Sequence, residues 1–220
     1  MVDGLPALPY PPPAHPFRLR KRAASKWFRV HEFDSASGKY GATDFNDSGR
    51  GDARFSPLRN PANGSVIPTL YIAATVEGAI SELVLHDVPT PSTGHVHDWE
   101  RDKAGLLHMS ELEADMLLLA DLQSQGLQAA GLEQWQMFGA NGTDYPRTRA
   151  WALHVWSAMP KAQGLLWMST RDNEGAVAML FGDRVSPTQL RMATAPVPIA
   201  SYEKQVLEIL DRLGCSVALA

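Results

Sequence analysis

An α+β fold is what this chain predicts. Short β-branched and aromatic runs read as strands, and capped periodic segments read as helices. The two kinds follow one another without the regular βαβ alternation of a parallel sheet. With 220 residues, 45% of them hydrophobic and 20% charged, the chain can bury a full core without a covalent or metal staple.

Residues 1–16 hold Pro6, Pro9, Pro11, Pro12, Pro13 and Pro16, a density that forbids helix and predicts an extended polyproline arm. The basic cluster Arg18, Arg20, Lys21, Arg22 and Lys26 reads as a solvated continuation of it. Residues 1–25 are therefore an N-terminal arm, and residues 26–220 a single domain. Lys26–His31 alternates as a strand, with Trp27 and Arg29 on one face and Phe28 and Val30 on the other. Residues 34–52 are rich in Asp, Ser, Gly and Asn and read as loop. Thr69–Ala73 is the next strand. Thr75 then caps a helix running to about His86, with Ala79, Ile80 and Leu83 as its apolar stripe and Pro89 as its stop.

Residues 87–109 read as irregular. The following segment carries two conflicting signals. Ser110-x-x-Glu113 is a capping box that argues helix, whereas the apolar run Met116–Ala120 suits a buried strand. Asp144–Ala158 reads as a helix with Pro146 in its first turn and Trp151 and Val155 on a buried face. Leu165–Met168 and Val177–Phe181 form a strand pair around the turn-like residues 171–175. Ser201–Leu213 closes the chain as a helix with Ser201 at the N-cap and Gly214 at C′.

Composition excludes several function classes. A formal charge of −4 argues against direct nucleic-acid binding, which wants a basic surface. The first residues lack an apolar signal core, and no segment reaches the roughly 18 uninterrupted apolar residues of a spanning helix, so no membrane role is expected. One cysteine, Cys215, permits neither an intrachain disulfide nor a cysteine zinc cage, and predicts a reducing, cytoplasmic location. Phosphate loops of the GxxxxGK[ST] and GxGxxG kinds are absent, as is a GxSxG elbow. His95-Val96-His97-Asp98 has the alternation of a metal pair but no marked third ligand, so no metal site is assigned. The Trp and Met residues at 151, 156, 159, 167 and 168 read as core packing.

Arg54, Tyr71 and Glu82 remain, on a loop, a strand and a helix. Glu82 lies three residues after Ala79 and four after Gly78, so it borders the apolar stripe instead of opposing it. A carboxylate there is partly buried and wants a cationic or hydroxyl partner. Ala73, Ala74, Gly78 and Ala79 leave room beside it.

The motifs WFRVH, GDARFSP, PTLYIAATVEGAISELVLH, DYPRTRAWALHVW and GLLWMSTRDNEGAVAMLFGDR, in this order from about Trp27 to Arg184, resemble the RES-domain family. Its name-giving arginine, glutamate and serine fall on Arg54, Glu82 and Ser169. Arg29 and Tyr71 match two further positions. Departures are a longer loop between Arg54 and Tyr71, the Pro-rich arm, and Ser56 where the family often has Asn.

The resemblance implies a split mixed β-sheet with flanking helices, similar to the ADP-ribosyltransferase toxins, clasping NAD in a cleft. It implies an NAD phosphorylase or glycohydrolase that cuts the nicotinamide–ribose bond. Such an enzyme uses NAD as substrate and no cofactor, with inorganic phosphate as a candidate co-substrate. It also implies the toxin of a type II toxin–antitoxin pair, with a helix-turn-helix antitoxin as partner. Two other readings stay open: ADP-ribosylation of a protein target, and a RES-like module that binds a nucleotide or partner without turnover. Arg54, Glu82 and Ser169 are the implied catalytic residues, and Arg29 and Tyr71 the implied NAD-binding ones. In that scheme Arg29 and Arg54 grip the pyrophosphate or one of them guides an incoming phosphate, Tyr71 stacks on the nicotinamide ring, and Ser169 donates to NAD or to Glu82.

Overall fold

The computed structural model describes residues 9–10, 17–34, 36, 40–86, 88–89, 94–139, 145–172 and 174–218. The expected polyproline arm lies outside these except for Pro9 and Tyr10, and so do Asp144, Asn173 and the first turn's approach to the helix that Asp144 was expected to open. Strands β1 (Leu19–Arg22) and β2 (Ser25–Glu32) come first. An irregular stretch leads to β3 (Leu58–Arg59), β4 (Val66–Ile67), β5 (Thr69–Ala73) and helix α1 (Val76–Leu83). Then follow β6 (Val96–His97), α2 (Trp99–Ala104), β7 (Leu107–Ala114) and β8 (Leu117–Asp121). Helices α3 (Ser124–Ala129), α4 (Gln134–Phe138) and α5 (Tyr145–Ala158) precede β9 (Gly164–Met168) and β10 (Ala176–Phe181). The chain closes with β11 (Leu190–Met192), β12 (Val197–Pro198), a 3-10 turn at Ile199–Tyr202, α6 (Glu203–Arg212) and β13 (Ser216–Val217).

Nine of the described strands form one mixed sheet in the order β1-β8-β9-β10-β5-β2-β7-β11, with β12 also on β7. Strands β8 and β9 run parallel, and the other neighbours antiparallel. The central joint is the informative one. β5 is held by β10 at five register positions and β2 by β7 at eight, yet β5 and β2 meet only at Phe28↔Ala73. The sheet is two well-paired halves that diverge from a single bridge, the split that the family resemblance implies.

Both faces of the sheet are buried, and alternation along each strand divides them. In β5, Tyr71 and Ala73 face one layer while Leu70 and Ile72 face the other; in β10, Val177, Met179 and Phe181 oppose Ala178 and Leu180. The first layer is covered by helices through Ile80, Trp151, Val155, Val206 and Leu210. The second is covered by loop and strand-end residues such as Ala42, Val185 and Leu190 over Trp27, Leu112 and Leu166. Each fully buried side chain of this size contributes about 1.5–3 kcal/mol relative to exposure. No helix of the described residues is long and apolar enough to cross a membrane.

Several local expectations change. Residues 96–104 form β6 and α2, not irregular chain; Asp98 caps α2 by accepting from the Arg101 N–H at 3.0 Å. The capping box at Ser110–Glu113 is overridden, because β7 is paired on both sides and its Ser110 hydroxyl is spent on His31 Nε2 at 2.8 Å. Helix α1 ends at Leu83, and Leu85 turns into the core instead of continuing to His86. Helix α6 starts at Glu203, since Ser201 lies in the 3-10 turn and caps nothing; Gly214 does take the left-handed conformation expected past its end. The basic segment is an edge strand hydrogen-bonded to β8, so residues 19–22 belong to the sheet.

Candidate active site

Where β2 and β5 diverge, a cleft of about 880 Å³ opens, walled by α1, the first turn of α5 and the turn after β9. Arg29, Arg54, Tyr71, Glu82, Tyr145 and Arg171 all line it. The structure therefore brings together four of the five residues singled out from sequence. Ser169 is fully buried behind the wall and does not line the void.

Glu82 is delivered by α1. Thr75, extended at φ −129° and ψ 157°, accepts from the Gly78 N–H at 3.0 Å and starts the helix where the small residues of β5 end. Seven residues after Thr75, Glu82 sits in the last turn at the edge of the apolar stripe, as its spacing predicts. Burial raises its carboxyl pKa above the usual carboxylate value. The Ser169 hydroxyl, the Arg54 and Arg171 guanidinium groups and the Thr170 N–H pull the other way. Its Oε1 is shielded and has no hydrogen-bond partner among the described residues. A buried acceptor without a donor costs stability, and such groups collect where a ligand supplies the missing partner.

Arg54 projects from the segment before β3. Its Nη1 donates to the Met137 carbonyl at 3.0 Å, and its guanidinium lies over the Phe138 and Tyr145 rings, 5.7 and 5.5 Å from their centroids. Helix α5 fixes the backbone beneath it: the Thr148 hydroxyl donates to the Arg54 carbonyl, Arg149 Nε donates to the Ala53 carbonyl at 3.1 Å, and Arg149 pairs with Asp52. Burial lowers the Arg54 pKa, with no effect on its charge at neutral pH.

Tyr71 braces the same segment. Its hydroxyl oxygen accepts from the Phe55 N–H at 3.3 Å and meets the Ser56 hydroxyl at 3.2 Å, while its ring stands edge-on to Trp167. Ser56, the departure from the family's usual Asn, is thus part of the frame. Burial pushes the Tyr71 phenol up to about 12. Arg29 also has structural work: its Nη1 donates to the carbonyls of Gly41, Ala42 and Asp44 at 3.2, 2.7 and 2.9 Å, and burial pushes its pKa down to about 10.

Ser169 accepts at Oγ from the Arg171 and Asp172 N–H groups at 3.4 and 3.2 Å, which leaves its hydroxyl hydrogen for Glu82. Sequence reasoning missed Arg171, Tyr145, Phe138 and the cleft role of Trp167, which was read as core alone. Arg171 stands two residues after Ser169 in the same motif, and that proximity was the available signal. Elsewhere, His97 Nε2 is 2.9 Å from Asp102 Oδ2, and no group of three or more His, Cys, Asp or Glu among the described residues could hold a metal.

The arrangement is cation-rich, with aromatic walls and two carboxylates, Glu82 and the Arg149-paired Asp52, and suits an anionic ligand that carries a flat ring. Comparison with curated proteins finds no sequence match. Among solved structures, the fold is similar to that of a chain in the crystal structure of the M. tuberculosis MbcT–MbcA toxin–antitoxin complex, with a TM-score of 0.59 and 18% identity over 84% of this chain and 90% of that one. The RES domain family model matches residues 26–200, from the start of β2 to the final 3-10 turn, and takes in every residue described at the cleft. The chain belongs to the RES domain family.

Proposed function

We propose that this protein degrades NAD by cleaving the nicotinamide–ribose bond, through phosphorolysis or hydrolysis, and that it is the toxin of a toxin–antitoxin pair. The observation that carries the reading is Glu82: a shielded carboxylate with an unpartnered Oε1, facing Arg54 and Arg171 in one aromatic-walled cleft.

NAD carries a pyrophosphate, two riboses and a cationic nicotinamide ring. Nicotinamide departs as a neutral molecule, so the leaving group needs no proton. The transition state is an oxocarbenium-like ribose, as in glycoside cleavage. A carboxylate preorganised beside that sugar accepts from a ribose hydroxyl and stabilises the developing positive charge. Glu82 takes this role, held by the Ser169 hydroxyl. Arg54 grips the pyrophosphate through its planar fork, with the Phe138 and Tyr145 rings packed against it. Arg29 borders the cleft at β2 and serves it by pinning residues 41–44 through Nη1. Tyr71 and Trp167 offer the aromatic surface for the nicotinamide.

The partner of such a toxin is an antitoxin of helix-turn-helix type, and both act in the cytoplasm. The fold similarity to a chain of the MbcT–MbcA complex supports a toxin with a protein partner. Incubating purified protein with NAD, with and without phosphate, tests the enzymology. ADP-ribose 1″-phosphate or ADP-ribose together with nicotinamide supports the reading. Label transferred to protein supports the transferase alternative, and intact NAD overturns both.

A further inference from the structure

The turn that follows β9 meets the start of α1, its last turn and the chain just past it. At the first turn of the helix, the Thr75 hydroxyl donates to Asp172 Oδ2 at 3.3 Å while its oxygen caps Gly78. The approach is close: a Cβ at Gly175 would stand 2.5 Å from Thr75 Oγ1, and one at Gly78 would stand 3.7 Å from Asp172 Oδ2. In the last turn, the Ser169 hydroxyl and the Thr170 N–H meet Glu82. Just past the helix, Arg171 Nη2 donates to the carbonyls of His86 and Val88, each at 2.7 Å.

We propose that Arg171 and Asp172 are positioning residues, a brace that clamps α1 at both ends and holds the Glu82 carboxylate aimed into the cleft. An eight-residue helix has little stability of its own, and its last turn frays first. Glu82 sits in that turn, at the negative end of the helix dipole, where a carboxylate is disfavoured. Arg171 counters both problems. Its guanidinium satisfies carbonyls beyond the helix end and places positive charge beside Glu82. Asp172 does the corresponding work at the N-terminal end through Thr75. The charged and hydrogen-bonding groups facing Glu82 are Arg54 from the segment before β3, and Arg171, Ser169 and the Thr170 N–H from this turn. Arg29, Tyr71 and His86 line the same cleft.

The inference rests on the reading of Glu82 as the catalytic carboxylate, but its test is independent of turnover. The Glu82 carboxyl carbon is titrated by nuclear magnetic resonance in the unliganded protein. In Arg171→Gln the titration moves to higher pH, and in Arg171→Lys, which restores a charge, it moves back toward wild type. Superimposable titrations in the three proteins overturn the brace. Asp172→Ala gives a second arm: α1 amide hydrogens exchange about fivefold faster, the equivalent of one lost side-chain hydrogen bond. Unchanged exchange overturns the N-terminal half of the brace. In activity, Arg171→Gln lowers kcat about 10- to 100-fold with a smaller change in KM, as misplacement of a catalytic group does. A wild-type protein that leaves NAD intact while Arg171→Gln moves the titration removes the proposed enzyme and retains the brace.

Discussion

The two faces of the sheet are built from the same strands and behave as opposites. On the face under the loops, Trp27, Leu70, Ile72, Leu112, Leu166, Ala178 and Leu180 pack into a dry layer. On the helix-covered face, Tyr71 and Trp167 share the interior with Arg54 and Glu82, and a cleft is left open. The difference comes from the joint between β2 and β5. A sheet paired along its length presents a continuous apolar surface, whereas two halves diverging from Phe28↔Ala73 leave backbone and side chains facing a gap. Most polar groups in that gap have protein partners, such as Arg54 on the Met137 carbonyl and Tyr71 on Phe55 and Ser56, and Glu82 Oε1 is the exception. Both faces bury apolar side chains, and the cleft opens on the helix-covered one alone among the described residues.

The comparison fails first if Glu82 is replaceable. Glu82→Gln is expected to lower NAD cleavage about 10²- to 10³-fold with the fold intact, the scale of losing one preorganised electrostatic contact; wild-type turnover measured by nicotinamide release would end the assignment. On the dry face, Leu166→Ala is expected to cost about 2–5 kcal/mol of stability in a denaturant titration. Its KM for NAD should be unchanged in the folded fraction, and an altered KM would mean that the two faces are coupled. Arg54→Lys is expected to raise KM for NAD about 10-fold or more, because a point charge replaces neither the planar fork nor its stacking on two rings; equal constants would take Arg54 out of the site.

The pH response sharpens the contrast further. Burial raises the Glu82 pKa above its ordinary 4.5. Activity that needs the carboxylate therefore rises as pH climbs through the shifted value. Stability runs the other way. The folded state holds the proton more tightly than the unfolded chain, so this group's contribution is complete below 4.5 and is lost as pH rises through the folded value. Glu82→Gln removes the charged form and is expected to raise Tm at neutral pH, by about 2–4 °C for each kcal/mol recovered. A lowered Tm would mean that Arg54 and Arg171 stabilise the carboxylate by more than its desolvation costs. This is the smallest of the effects, and the one that reads most directly whether the cleft is held open at the expense of stability.

Much of the site was legible because it rests on local patterns. Thr75 before an apolar stripe marks a helix start, and the three- and four-residue spacings place Glu82 at its border. The β-branched and aromatic run of β5 appears with its observed ends. The capping box at Ser110–Glu113 misleads for the same reason: it is a local signal, and pairing of β7 on two sides outweighs it. Arg171 was not legible as a partner of α1, since the carbonyls it binds lie 85 and 83 residues away in the chain.

By itself, then, the sequence determined an α+β domain, the helix that carries Glu82, the family, and four residues of the cleft. Each depends on neighbours along the chain or on a motif. Only the tertiary structure decided that β2 and β5 part after one bridge, that Ser169 stands behind Glu82 instead of in the void, and that Asp172 meets the N-cap of α1 while Arg171 binds the chain just past its end. Those facts depend on contacts between segments far apart in sequence, whose geometry is set when the layers pack and not by any residue's local preference.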